Sequence, residues 1–310
     1  MKIGFVFPGQ GSQAVGMLDS FEGNHAVAEV LREASAALGR DIGALIKSGP
    51  AEELSLTVNT QPVMLTAGYA VYRAWRAAGG AEPALVAGHS LGEYTALAAA
   101  GALPLAEAVK LVRFRAQAMQ EAVPVGEGAM AAILGLSDDQ VRQACEEAAA
   151  GDVVEPVNFN APEQIVIAGH REAVERAIEV ATARGAKRGV LLPVSAPFHS
   201  SLLRPAADRL AARLATVPIA APAIPVIHNV DVQERPTAEG IRSALAQQAA
   251  SPVRWVETIQ AFAARGVTHI VECGPGRVLA GLNKRIDRNL KSYALDGGAD
   301  IDAARAALAG

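Results

Sequence analysis

The hydrophobic pattern of the chain alternates between two kinds of segment. Short, wholly apolar runs bounded by glycine or proline predict buried strands. Longer stretches with apolar residues three and four apart predict amphipathic helices. On this reading residues 3–7 form a strand, 25–38 and 62–78 helices, 85–87 a strand, and 93–100 and 104–122 helices. The same grammar returns after residue 200, with helices over 205–217, 252–265 and 277–287 and strands over 226–230 and 269–273. Strands this apolar, set between helices, call for a parallel sheet covered on both faces. The middle of the chain reads differently. Strands at 129–134, 153–159, 164–168 and 189–194 and helices at 138–149 and 171–184 run in the order βαββαβ, that of a ferredoxin-like unit.

The expected fold class is therefore α/β. A large parallel-sheet domain (1–124 and 197–310) receives an inserted ferredoxin-like domain (125–196) through the links Pro124–Gly128 and Ser195-Ala196-Pro197. Two chain crossings would leave a cleft between the domains, a favoured place for a ligand.

Composition narrows the function classes. With 51% hydrophobic, 19% charged and only 4% aromatic residues, the chain is neither disordered nor a base-stacking surface. Its 28 Lys+Arg against 32 Asp+Glu exclude a globally basic nucleic-acid binder. The two cysteines, Cys145 and Cys273, are unpaired in sequence and read as inert thiols of a reducing compartment. The apolar start (Ile3–Phe7) is too short for a signal peptide, and no run suits a membrane span. A soluble, cytoplasmic protein is the expectation.

Candidate chemistry centres on Gly88-His89-Ser90-Leu91-Gly92, a G-x-S-x-G sequence between an apolar strand and a helix. That context suits a nucleophile elbow, where Ser90 Oγ stands exposed at a helix N-terminus; a plain turn with Ser90 as helix cap is the simpler alternative. A serine needs a base. Of the six histidines, His89 should point away from its neighbour's hydroxyl, and His25 and His170 sit beside helix starts. His228 and His269 lie in apolar strands and read as core histidines, whereas His199 lies in an irregular segment, Pro197-Phe198-His199-Ser200, bordering the expected cleft. His199 is thus the best placed. The order Ser90 then His199 is that of the α/β-hydrolases, but Asp138, Asp139 and Asp152 offer no preferred third member, and a backbone carbonyl could orient the imidazole instead. No metal-ligand spacing occurs among the histidines. After the first strand, Gly9-Gln10-Gly11-Ser12-Gln13-Ala14 loosely fits a dinucleotide fingerprint, but no second strand ending in an acid follows. A tight turn, or a backbone N–H donor to an oxyanion hole, are the remaining readings.

These stretches, with Asn158-Phe159-Asn160-Ala161-Pro162, Ile167-Ala168-Gly169-His170 and Glu272-Cys273-Gly274-Pro275-Gly276, run in one order along nearly the whole chain. In them the chain resembles the malonyl-CoA:acyl carrier protein transacylases of bacterial fatty-acid synthesis. The resemblance implies Ser90 as acyl-accepting nucleophile, His199 as base, the N–H groups of Gln10 and Leu91 as oxyanion hole, and the main-chain carbonyl of Gln248 as the group orienting His199. By pattern Arg113 and Arg115 could both be solvated, although Arg115 shares a helical row with Leu111 and Met119. The resemblance selects Arg115 to grip the malonyl carboxylate, for which a guanidinium fork is suited. Phe198 matches the malonyl-preferring form, while Pro197 and Cys273 depart from the family pattern without touching a catalytic role.

Malonyl-CoA and acyl carrier protein are the implied partners, with no resident cofactor, no metal and a monomeric chain. Acidic carrier proteins suggest a basic docking patch, drawn from Lys187, Arg188, Lys284, Arg285 and Arg288, unless these are ordinary solvated charges. A serine esterase or a non-catalytic carrier-binding module are the competing readings.

Overall fold

The computed structural model describes residues 1–194 and 196–308; Ser195 of the expected second link and the last two residues lie outside them. Strands, in chain order, are β1 (Ile3–Phe7), β2 (Leu85–Gly88), β3 (Gly128–Leu134), β4 (Val154–Ala161), β5 (Gln164–His170), β6 (Arg188–Leu191), β7 (Val226–Ile227), β8 (His269–Cys273) and β9 (Lys291–Leu295). Helices are α1 (His25–Leu38), α2 (Ile42–Ser48), α3 (Ala51–Leu54), α4 (Thr57–Ala77), α5 (Gly92–Ala99), α6 (Leu105–Glu121), α7 (Asp138–Ala149) and α8 (Arg171–Ala183). The last five are α9 (Arg204–Leu214), α10 (Ala238–Gln248), α11 (Trp255–Ala264), α12 (Val278–Ile286) and α13 (Gly298–Leu308). Local signals set several ends. Asn24 accepts from the Val27 N–H to open α1, Gly39 closes it in the left-handed conformation, and Ser137 and Gln140 form a capping box on α7.

The large sheet is parallel, in the order β7-β2-β1-β8-β9. Its pleat divides the core. Phe5 and Phe7 face α4, where they meet Tyr72 and Trp75 edge-on at centroid distances of 5.6–6.1 Å. Val6, between them, joins Trp255, Ile259 and Phe262 on the opposite side. Helices thus cover both faces, as the apolar strands require.

The small sheet is antiparallel, in the order β4-β5-β3-β6, the ferredoxin-like arrangement. It too alternates. Ala131, Ile133, Ile165 and Ile167 pack under α7 and α8, while Met130, Val157, Val166 and Ala168 enter the core of the large sheet's α4 face.

Several boundaries differ from the sequence reading. The helix expected from residue 62 starts at Thr57, so Pro62 lies inside it rather than opening it. The strand expected over 226–230 stops at Ile227, and residues 228–231 turn away, presenting Asn229 to the elbow. The strand expected to reach 194 ends at Leu191, where pairing with Ala131 ends. Four helices (α2, α3, α10, α13) and β9 were not read. Among the described residues no helix is long and apolar enough to cross a membrane.

Candidate active site

β2 delivers the chain to a sharp turn and α5 carries it away. Ser90 sits between them at φ 51°, a conformation that costs a non-glycine residue about 1–3 kcal/mol. The flanking glycines make the turn possible. A Cβ on Gly88 would fall 1.9 Å from the Gly92 carbonyl carbon, and one on Gly92 would fall 2.0 Å from the Phe7 carbonyl oxygen. Asn229 braces the turn from β7: its Oδ1 accepts from the Ser90 N–H at 2.8 Å and its Nδ2 donates to the Gly88 carbonyl at 2.8 Å.

Ser90 Oγ lies 2.7 Å from His199 Nε2, although 109 residues separate them. His199, at φ 67°, is only 3% exposed. Its Nδ1 lies 2.9 Å from the Gln248 main-chain carbonyl, which can only accept. That fixes the proton on Nδ1 and leaves Nε2 to accept from Oγ–H. Burial first, and then the Arg115 cation, hold the imidazole down at about 3, against the Gln248 carbonyl, which favours the charged form. The ring is therefore neutral, and basic at Nε2, across the physiological range.

Arg115, on α6, is 1% exposed, whereas Arg113 is exposed. Its Nη1 donates to Gln61 Oε1 at 2.8 Å, and its Nη2 to Gln248 Oε1 at 2.9 Å and Ser90 Oγ at 3.1 Å. The Nε is buried without a partner among the described residues. Nε and Nη2 share one edge of the guanidinium fork; Nη2 reaches the serine hydroxyl and Nε keeps a donor to spare. Tyr94 lies beneath the guanidinium at 5.4 Å.

The first βα loop closes on the elbow. A Cβ on Gly9 would lie 2.7 Å from the His89 carbonyl oxygen, so the loop touches the turn; beyond this contact Gln10 is exposed, while Leu91 on the elbow is buried. The small sheet is tied to the same region. His89 Nε2 contacts Asn160 Oδ1 at 2.7 Å, so His89 points away from Oγ and links the two sheets. Glu155 of β4 accepts from both the N–H and the hydroxyl of Ser201, two residues past His199.

Sequence reasoning missed three polar residues behind the serine, Gln61, Glu93 and Asn229, all fully buried. His228 read as a core histidine, and it is one, bonded to Glu93. Gln61 and Asn229 carried no motif of their own. Glu93 adjoined the elbow sequence, and its place in an apolar helix was the available signal.

The residues of the expected basic patch are exposed, but they are not all free. Arg285 Nη2 donates to the Pro162 carbonyl at 2.9 Å and Nη1 contacts Gln164, while Lys187 pairs with Glu163 at 3.3 Å. Both brace the β4–β5 turn. Lys284 and Arg288 line a surface hollow with Lys291 and Tyr293. Cys145 and Cys273 are buried free thiols, with Cys145 pushed up to about 12 by burial.

An α/β fold with a serine elbow, a neutral imidazole on the hydroxyl and a buried cation at its side defines a class, catalysts of acyl transfer through serine. The chain belongs to the acyl transferase domain family, whose sequence profile matches residues 4–309. It is 54% identical to the malonyl CoA-acyl carrier protein transacylase of Escherichia coli over 296 residues, 95% of this chain and 96% of that protein. It is 46% identical to the Bacillus subtilis protein of the same name, over 95% of this chain and 93% of that one. The acyl-carrier-protein S-malonyltransferase structure from Burkholderia pseudomallei matches with TM-score 0.98 at 62% identity, covering 99% of this chain and 100% of that one. A malonyl-transacylase solved in complex with its type II PKS acyl-carrier protein matches with TM-score 0.97 at 47% identity, covering 99% and 100%.

Proposed function

We propose that this chain moves the malonyl group from malonyl-CoA to the phosphopantetheine thiol of acyl carrier protein, by a ping-pong cycle through malonyl-Ser90. His199 Nε2 takes the proton of Ser90 Oγ as the hydroxyl attacks the thioester carbonyl. The N–H groups of Gln10 and Leu91 receive the developing oxyanion, and CoA leaves as its thiol with that proton. In the second half the carrier thiol gives its proton to His199 and attacks the seryl ester, and Ser90 Oγ recovers the proton as it leaves. Arg115 holds the malonyl carboxylate in both halves. The Gln248 carbonyl replaces the acid of a hydrolase triad, because an imidazole that stays uncharged between turnovers needs orientation more than a counter-ion. The cycle requires no resident cofactor or metal.

The observation that carries this reading is a guanidinium 3.1 Å from a hydroxyl that is itself 2.7 Å from a neutral imidazole. An esterase has no use for a buried cation beside its nucleophile, and a binding module has no use for the base. The relatives' names and the carrier-protein complex of one of them support the same substrate pair. We further read the chain as a monomer. Its setting is read as cytoplasmic fatty-acid synthesis, and Lys284 and Arg288 as part of the carrier docking face.

The test is intact mass after incubation with malonyl-CoA, with and without carrier protein. The expected result is one malonyl increment, discharged onto holo carrier protein and absent from Ser90→Ala. An increment on Ser90→Ala, or discharge into water as fast as onto carrier, overturns the proposal. Lys284→Glu with Arg288→Glu should slow discharge and leave acylation unchanged; discharge at the wild-type rate would remove these residues from the docking face.

A further inference from the structure

We propose that Glu93 is a positioning residue that fixes the Gln248 carboxamide and, through it, the aim of Arg115 at the acyl group. This rests on the transacylase reading above and adds a determinant of malonyl preference that touches no reacting atom. Glu93 stands in the first turn of α5, three residues after Ser90, and is fully buried. A carboxylate in such a place is tolerated only with its acceptor sites filled. Here they are: Oε1 contacts His228 Nδ1 at 2.7 Å, and Oε2 accepts from the Asn229 N–H at 2.9 Å and from Gln248 Nε2 at 3.0 Å.

The last contact decides the geometry. An ionised carboxylate only accepts, so the Gln248 side chain must turn its NH2 toward it. The second Nε2 proton goes to the Ser90 carbonyl at 2.9 Å. Oε1 is then the only atom left to face Arg115, and it receives Nη2 at 2.9 Å. The flipped amide would set two donors against the guanidinium and an oxygen against two acceptors. Gln248 meanwhile holds His199 through its main-chain carbonyl. One residue therefore touches nucleophile, base and cation, and Glu93 sets which way its amide faces.

Charge points the same way. Arg115 forms no ion pair among the described residues. The buried anion nearest to it along the hydrogen-bond chain is Glu93, on the far side of one amide whose oxygen faces the cation and whose N–H faces the anion. In a low-dielectric interior such an alignment strengthens both bonds. Removing the anion loosens the amide and lets the guanidinium drift from its line to Ser90.

The test is Glu93→Gln, nearly isosteric but uncharged and no longer an obligate acceptor, read as the ratio of Ser90 acylation rates with malonyl-CoA and acetyl-CoA. The ratio should fall at least tenfold. In an Arg115→Ala background the same substitution should move it less than twofold, a coupling that a merely structural role does not produce. A folded Glu93→Gln protein with an unchanged ratio, or an equal fall in both backgrounds, overturns the proposal. If Glu93→Gln does not fold, the wild-type protein decides. The Gln248 side-chain NH2, assigned in 15N spectra by its loss in Gln248→Leu, should exchange with solvent at least 100-fold more slowly than that of exposed Gln247. Equal exchange overturns the assignment. A wild-type protein that takes no malonyl group at all would instead overturn the transacylase reading.

Discussion

Arg115→Ala isolates the contribution of the guanidinium. In the resting site, Nη2 divides its donors between Ser90 Oγ and Gln248 Oε1, and Nε has no partner among the described residues. Once Ser90 carries a malonyl group, its carboxylate lies two carbons beyond the ester oxygen and can take Nε and Nη2 side by side. Two charge-assisted hydrogen bonds contribute about 1.5–3 kcal/mol each, roughly 3–6 kcal/mol together. At about 1.36 kcal/mol per decade, that is on the order of 10²–10⁴-fold in kcat/KM. An acetyl group has no carboxylate to lose. Arg115→Ala should therefore lower kcat/KM for malonyl-CoA by on the order of 10²–10⁴-fold while changing that for acetyl-CoA by less than about tenfold. Arg115→Lys, a single-point donor on a flexible stem, should fall between. Rates come from quenched-flow acylation followed by intact mass. The substitution also leaves the oxygens of Gln61 and Gln248 without their donor, at about 1–3 kcal/mol each, so thermal melts must show a folded variant at the assay temperature. An equal loss for both acyl groups in a folded protein would refute the reasoning, because it would mean that the cation serves the serine and not the carboxylate.

Acid stability should register the buried base. The His199 imidazole is held at about 3 when folded and returns to about 6.5 when unfolded. Between those values only the unfolded chain takes the proton, so the contribution to stability is complete above 6.5 and is lost progressively as pH falls toward 3. Glu272, pushed up to about 7 by burial at the end of β8, acts in the opposite sense between its unfolded value and 7. Chemical denaturation of wild type and His199→Gln at pH 7 and pH 5 subtracts that background: wild type should lose more stability on acidification than the variant, and parallel losses would contradict the depressed imidazole. Gly92→Ala should fail to give soluble folded protein, because its methyl group meets backbone 2.0 Å away; a normal melt would show that the elbow is looser than described.

Legibility followed the range of the interactions. Helix α1 could be read to the residue, because its cap, its apolar spacing and its closing glycine all lie within the segment. The elbow was legible for a similar reason, since both close approaches fall on glycines beside the serine. By contrast α10, Ala-Glu-Gly-Ile-Arg-Ser-Ala-Leu-Ala-Gln-Gln, places a glycine in its first turn and only a thin apolar row. Strand β9 is an edge strand, half-buried, whose polar residues lack a strand signature. Packing against distant segments decides both. The role of Gln248 reached the sequence reading only through family resemblance, because a main-chain carbonyl has no residue signature. Glu93 and the neighbours His228 and Asn229 come from two distant segments, and their hydrogen bonds exist only once β2 and β7 pair.

The second sheet divides its strands between two interiors, residue by residue, and this limits how such proteins can be recombined. A chimera that imported residues 125–196 from a distant relative would bring foreign methyl groups at Met130, Val157, Val166 and Ala168 into the host's own interior. It would also have to reproduce the partners of Asn160 and Glu155 beside the catalytic loops. Altered acyl scope is therefore more accessible through single replacements around Ser90 and Arg115 than through exchange of the whole segment.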